Sequence, residues 1–245
     1  MTLYYILLVV FVATLIRSTL GFGEGLVAVP LLALFIPITI ATPLVALLSV
    51  TIGGIVVLQD WRKIHVRSAS WLIGATVFGI PLGLLLLTSS HPRAIKVVLG
   101  LTIVLFSLYS LIGVRRAVLH RDHTPILLLC GFTAGVLGGA YGMNGPPLAV
   151  YGAMRRWTAQ HFRATLQAYF LPASLIGLAG YWLAGLWVPT VTRDCLLSLP
   201  VAVPAIFLGR FLNQRMTGEG FVKYVYVGLV AVGSLLLLEA IHGKL

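Results

Sequence analysis

The sequence predicts an all-α integral membrane protein made of two inverted-topology repeats of about five helical segments each, with a broken, short helix pair in each repeat. Three observations support this prediction: an apolar composition, the distribution of basic residues among ten apolar segments, and two matching glycine-rich breaks. We expect a single transmembrane domain over residues 1–245, with repeat one over 1–114 and repeat two over 124–245.

The composition is that of a membrane protein. Hydrophobic residues make up 59% of the chain and charged residues only 9%, and the mean hydropathy is +1.03. Soluble domains carry about 25% charged residues, so a soluble domain is excluded. No basic region precedes the first apolar run, 3–20, and no small-residue cleavage site follows it, so we expect a membrane helix rather than a signal peptide.

The net charge of +11 does not indicate nucleic-acid binding, because the basic residues form short clusters between the apolar runs. Such clusters are typical of the cytoplasmic loops of membrane proteins. Cys130 and Cys195 lie in or beside apolar runs, without a CxxC motif or a nearby His, and we interpret them as packing residues. The histidines lack the spacing of a metal site, and the sequence predicts no metal and no cofactor. The apolar composition predicts that a lipid bilayer surrounds the protein.

Ten apolar segments can be drawn along the chain, and two of them are short. These two, 26–36 and 146–154, each follow a glycine-rich break and reach about half of a ~30 Å hydrocarbon core. The eight longer segments are 3–20, 39–59, 70–88, 94–113, 125–138, 164–183, 195–212 and 221–241.

The distribution of Lys and Arg indicates whether the short segments return the chain across the membrane. If only the eight long segments cross, each face receives seven basic residues and no bias results. If each short segment also returns the chain, one face receives eleven and the other four, which favours ten segments with both termini outside. The eleven are Arg62, Lys63, Arg67, Arg115, Arg116, Arg121, Arg155, Arg156, Arg163, Arg210 and Arg215.

Five segments in each half is an odd number, so the second half must enter the membrane in the opposite orientation. Weak internal similarity supports a duplication. Residues 40–42 recur as 163–165, and residues 96–100 loosely match 224–228. Inverted repeats with paired broken helices are a common plan of transporters.

The glycine-rich breaks are 21–25 (GFGEG) and 138–147 (GGAYGMNGPP), and their central residues superpose with an offset of 119. Unwound backbone exposes polar groups that lipid cannot satisfy, so paired breaks point to a substrate site. The alternative is that the glycines only allow close helix packing. We assign that role to four glycines elsewhere: Gly53, Gly54, Gly79 and Gly83.

The breaks end where the short helices begin, near Leu26 and Pro146. A helix start presents unpaired amides and the positive end of its dipole, so two converging starts would form an anion site. Glycines let a substrate approach the backbone closely, while Asn144 and Tyr141 can add an amide and a hydroxyl. The predicted backbone contacts are Gly23, Gly25, Gly142 and Gly145.

Two pairs of polar residues accompany the breaks. Arg17 lies one turn before the first break and is predicted either to face an anionic substrate, to snorkel to the interface, or to pair with Glu24. Glu24 is either a candidate proton carrier or an acid stabilised by the helix dipole. Arg163 opens a later span, Gln167 lies one turn further on the same helical face, and both are predicted to contact the substrate.

These residues resemble the sulfite exporter TauE/SafE family of bacterial membrane permeases. The resemblance rests on 21–32 (GFGEGLVAVPLL), 142–147 (GMNGPP) and 162–165 (FRAT), and it covers essentially the whole chain. It implies a transporter of sulfite, sulfonates, sulfoacetate or related small acids in a bacterial inner membrane, which places both termini in the periplasm. Glu24 and Asn144 occupy positions where the family pattern tends towards glycine.

Other functions are weaker interpretations of the same residues. A channel-like anion pore needs a continuous polar lining, whereas the polar residues concentrate at two points. A membrane-embedded enzyme needs a catalytic constellation, and no nucleophile–base pair is evident, so we predict no catalytic residues. The sequence leaves open whether a proton or sodium ion is coupled to the substrate, and whether the chain forms a homodimer.

Overall fold

The protein is described by a computed structural model over residues 2–60, 66–88, 92–112, 119, 123–155 and 159–215, with isolated positions between 227 and 238. This described part consists of helices and their connections, as predicted. The helices are α1 (Thr2–Leu20), α2 (Glu24–Leu32), α3 (Ile38–Asp60), α4 (Val66–Leu87), α5 (Pro92–Ile112), α6 (Thr124–Tyr141), α7 (Gly145–Met154), α8 (Ala159–Leu183) and α9 (Pro189–Arg215).

Within the described residues, five helices are long and apolar enough to cross a membrane, so the predicted class of multi-pass membrane protein is supported by length and composition. Their spans are Leu3–Leu20, Ile38–Leu58, Ala69–Leu87, Thr124–Tyr141 and Pro189–Asn213. The predicted segment 221–241 lies almost wholly outside the described residues.

The two short helices form where the sequence predicts them. Helix α2 has 9 residues and α7 has 10, so each spans about half of a bilayer core. Helix α2 begins two residues earlier than predicted, with Glu24 in its first turn, where the helix dipole stabilises an acid. Helix α9 begins at Pro189, six residues before the predicted span, because proline suits a first helical turn.

The helices pack in a regular pattern of pairs. Helix α1 packs against α9, α4 packs against α6, and α3 packs against α8. Helix α4 also contacts α8, and α3 also contacts α9. The short helix α2 lies against α1 and α3, while α7 follows directly on α6. The two halves are therefore intertwined rather than side by side.

Glycines allow α4 and α6 to approach closely. A Cβ added at Gly79 or Gly83 would overlap backbone atoms of α6, which confirms the packing role predicted for them. Gly53 faces Leu171 of α8 at ordinary contact distance. The same interpretation is wrong for Gly54, because a Cβ there would meet no atom of the described residues within 4 Å.

Helices α1 and α6, the first helix of each half, are each followed by glycine in the left-handed conformation. Gly21 and Gly23 have φ of 86° and 104°, and Gly142 has φ of 64°. L-residues with a Cβ rarely adopt such angles, so glycine is required for the chain to leave the helix here. The amide of Gly142 bonds back to the carbonyl of Gly138 at 2.8 Å. Each break is thus a defined change of chain direction.

Candidate functional site

The two breaks are in direct contact. A Cβ added at Gly25 would overlap the carbonyl oxygen of Gly142, so the backbones touch at this point. A Cβ added at Gly145 would lie 3.2 Å from Cδ2 of Phe22, so the flanking residues cross as well. The structure therefore brings the two glycine-rich segments together, although 117 residues separate Gly25 from Gly142 in the chain.

A small cavity lies where the breaks meet. Its volume is about 20 Å³, which is room for about one water molecule. Both helix starts border it, and the first amides of a helix have no intrahelical acceptor. The lining consists of Arg17, Phe22, Gly23, Glu24, Gly25, Leu26, Ser49, Gly142, Met143, Asn144, Gly145, Pro146 and Phe170.

Arg17 is held inside the protein and does not snorkel to the surface. Its exposed fraction is 2%. Its Nη1 donates to Glu24 and to Ser49, and its Nη2 donates to Gln167 Oε1 at 3.0 Å. The guanidinium carbon lies 5.2 Å from the ring centre of Phe170, which adds a cation–π contact.

Glu24 forms a buried ion pair with Arg17. Its Oε2 accepts from Arg17, while its Oε1 has no hydrogen-bond partner within the described part of the chain. Both residues line the cavity. The predicted pairing of Arg17 with Glu24 is therefore present in the structure, and the contact of Arg17 with a substrate stays a prediction. The pair is electrically neutral, which limits the cost of burying each charge.

Gln167 joins the second half of the chain to the first break. Its Oε1 accepts from Arg17, and its Nε2 donates to the carbonyl of Gly21 at 3.0 Å. Its exposed fraction is 1%. Gln167 thus holds the guanidinium and the end of α1 in fixed positions, behind the cavity lining. The side chain of Arg163, predicted beside it, lies outside the described residues.

Asn144 belongs to a second polar cluster, from the other break. Its Nδ2 donates to the Tyr169 hydroxyl at 3.4 Å. That hydroxyl lies 2.7 Å from Thr76 Oγ1, which in turn bonds the carbonyl of Gly131 at 2.8 Å. Three helices, α4, α6 and α8, therefore fix the side chain of Asn144. This cluster is neutral, whereas the Arg17 cluster carries both charges.

Tyr141 does not line the cavity. The structure buries it fully in the core at the last residue of α6, so the predicted hydroxyl contact with a substrate is not seen in this arrangement. The first two carbonyls of the second break accept from Tyr181, whose hydroxyl lies 2.8 Å from the Gly138 oxygen and 3.0 Å from the Gly139 oxygen.

Sequence reasoning missed several residues of the site, notably Ser49, Phe170 and Tyr169. Ser49 and Thr42 are seven residues apart on α3, so they share one face of an otherwise apolar helix. That spacing is a signal for Ser49. Tyr169 lies two residues after Gln167, and nothing in the local pattern indicates its bond to Asn144.

Comparison with known proteins identifies the family to which the chain belongs. The sequence profile of the sulfite exporter TauE/SafE family matches residues 6–236, which include both breaks. The "probable sulfite/organosulfonate exporter TauE" of Cupriavidus necator is 23% identical over 236 residues, covering 93% of this chain and 91% of the relative. No solved structure gives a significant match. The chain therefore belongs to the sulfite exporter TauE/SafE family of membrane transporters.

Proposed function

We propose that the protein transports a small sulfur-containing anion, such as sulfite or an organosulfonate, by alternating access around the two helix breaks. The observation that carries the proposal is the buried guanidinium of Arg17 in the lining of the cavity at the crossing of the breaks. A buried cation at membrane depth is costly and indicates a function. The printed name of the Cupriavidus necator relative supports the substrate class.

The donors around the cavity suit an oxyanion. Arg17, Ser49 and Asn144 can donate from side chains, and the starts of α2 and α7 supply backbone amides. A sulfite or sulfonate group presents several oxygens on one centre, and charge-assisted hydrogen bonds to such oxygens are the stronger ones. Glycines at the breaks let these oxygens reach the amides.

The size of the cavity favours a transporter over an open pore. About 20 Å³ holds about one water molecule, and a sulfite ion is larger. We therefore expect the breaks to move apart when an anion enters, as in alternating access. A pore would need a continuous passage for its ion.

The helix pairs support inverted repeats over 1–114 and 124–245. Exchanging the halves maps α1 onto α6, α3 onto α8, and α4 onto α9. The pair α1–α9 then becomes α6–α4, the pair α3–α9 becomes α8–α4, and the pair α3–α8 maps onto itself, and all of these pairs are in contact. Together with the basic loops, this pattern supports ten segments in a bacterial inner membrane, with both termini in the periplasm.

Anion-induced thermal stabilisation of the purified protein tests the proposal. The panel comprises sulfite, sulfate, sulfoacetate, taurine and simple carboxylates. We expect a selective rise in Tm for the wild type that is lost in Arg17→Gln/Glu24→Gln, a double variant that keeps the site neutral. The matched control is Arg193→Gln, which removes an exposed arginine of α9 outside the cavity and should keep the rise. No rise with any anion would contradict the proposal.

A further inference from the structure

We propose that a proton on Glu24 accompanies the transported anion, so that the site binds one anion at Arg17 together with one proton. This inference rests on the proposed function and adds the coupling ion. It is carried by the ion pair between Arg17 and Glu24, by their shared place in the cavity lining, and by a buried polar atom on each that lacks a partner in the described structure.

Glu24 already takes the place of an anion at Arg17. Its carboxylate binds Nη1, so an incoming anion competes with a tethered carboxylate for the same nitrogen. Arg17 cannot turn away to find a second position, because Nη2 is held by Gln167 and the guanidinium lies over Phe170. The anion must therefore bind beside Glu24 or displace it.

The charge of the cavity decides between these arrangements. Arg17 and Glu24 are the charged residues among those that line it, and their charges cancel. Adding an anion leaves a net negative charge in a buried site, next to a carboxylate that repels it. For a monovalent anion, transfer of a proton from the aqueous phase to the Glu24 carboxylate restores neutrality, and the proton leaves when the anion is released.

Among the described residues, Oε1 of Glu24 and Nε of Arg17 are buried side-chain atoms without a hydrogen-bond partner. Buried polar atoms are nearly always hydrogen-bonded, so both need an explanation. A protonated Glu24 can donate a hydrogen bond to an anion oxygen, and Nε of Arg17 can donate to another. Protonation thus converts a repulsive contact into a bond, while Arg17 keeps its charge throughout.

The described surroundings of Glu24 contain few other groups that can titrate. Helix α1 presents Arg17, α3 presents Ser49, and the second break presents Met143 and Asn144. From α9, the thiol of Cys195 lies within electrostatic range of Glu24. Glu24 is therefore the carboxylate assigned to the proton, and Cys195→Ala tests the contribution of the thiol.

Calorimetric binding of methanesulfonate and of sulfate, in buffers of different ionisation enthalpy, counts the protons taken up with the anion. For methanesulfonate, a monovalent anion, we expect the wild type to take up about one proton per anion, with an affinity that falls by about tenfold per pH unit once Glu24 is ionised in the free protein. Glu24→Gln keeps the shape of the side chain and should bind without proton uptake and without pH dependence. Cys195→Ala should retain the wild-type uptake.

The matched control is Asp194→Asn, which removes another buried carboxylate, on α9, outside the cavity lining. It should retain the uptake. Binding to the wild type without proton uptake overturns the inference and leaves the proposed function standing. Uptake that persists in Glu24→Gln also overturns it. If neither probe binds the wild type, the proposed function fails together with the inference.

Discussion

Gly25 lies directly against the carbonyl oxygen of Gly142, so the two helix breaks touch through their backbones with no side chain between them. This contact joins the start of α2 to the end of α6 and closes the cavity on one side.

Gly25→Ala should destabilise the protein and abolish transport. The added Cβ overlaps the Gly142 carbonyl, and such overpacking costs about 1–3 kcal/mol. Thermal unfolding of the purified protein and anion efflux from proteoliposomes measure the two effects. Gly54→Ala is the control, because a Cβ there meets no atom of the described chain within 4 Å. In the helix interior that change should be neutral or stabilising by up to about 1 kcal/mol. Equal Tm values and equal efflux rates for the two variants would contradict the contact between Gly25 and Gly142.

Gly142 should tolerate asparagine better than valine. Its φ of 64° falls in the left-handed region, which asparagine adopts more readily than β-branched residues do. Space is not limiting, since a Cβ at Gly142 would lie 3.7 Å from its nearest neighbours. We expect Gly142→Val to lose about 1–2 kcal/mol more stability than Gly142→Asn. Equal Tm values for the two variants would show that backbone conformation is not the constraint.

The buried ion pair should be more sensitive to the loss of one charge than to the loss of both. Arg17→Gln leaves Glu24 buried without its partner, which typically costs about 3–5 kcal/mol. Arg17→Gln/Glu24→Gln should recover a large part of that stability while remaining inactive in transport. A double-mutant cycle on thermal stability, combined with efflux, measures both. Additive losses would mean that the two side chains do not interact.

Tyr169→Phe should weaken anion binding by removing the bond that positions Asn144. The hydroxyl links Asn144 to Thr76, and the loss of such a bond costs about 1 kcal/mol in stability. We expect a higher KM for efflux and a smaller change in the maximal rate. Tyr181→Phe is the comparison, because its hydroxyl bonds backbone carbonyls and not a residue of the cavity lining. An unchanged KM in Tyr169→Phe would contradict the positioning role.

The sequence predicts the parts of the fold that depend on local chemistry. Glycines, which adopt left-handed backbone readily, mark the ends of α1 and α6. Short apolar runs mark α2 and α7. The conjunction of Arg17 and Glu24 could also be foreseen, since a charge at membrane depth needs a partner. These features follow from backbone geometry and from the cost of unpaired charge, which are both readable along the chain.

The rotation of each helix could not be predicted, and so Ser49 and Tyr169 were missed. Helices that are apolar on all faces have no stripe to show which side meets the protein, because lipid is as apolar as the core. The same reason applies to Tyr141, which lies in the break motif and is buried in the core outside the cavity lining. The packing role predicted for Gly54 was wrong because the rotation of α3 could not be predicted.

Efflux of radiolabelled sulfite from proteoliposomes tests the central claim most directly. We expect saturable efflux through the wild type and through Arg193→Gln, and none through Arg17→Gln/Glu24→Gln. A cooperative thermal unfolding transition must first show that the double variant is folded. Sulfite efflux that the double variant sustains at the wild-type rate would contradict a substrate site at Arg17 and the crossing of the two breaks.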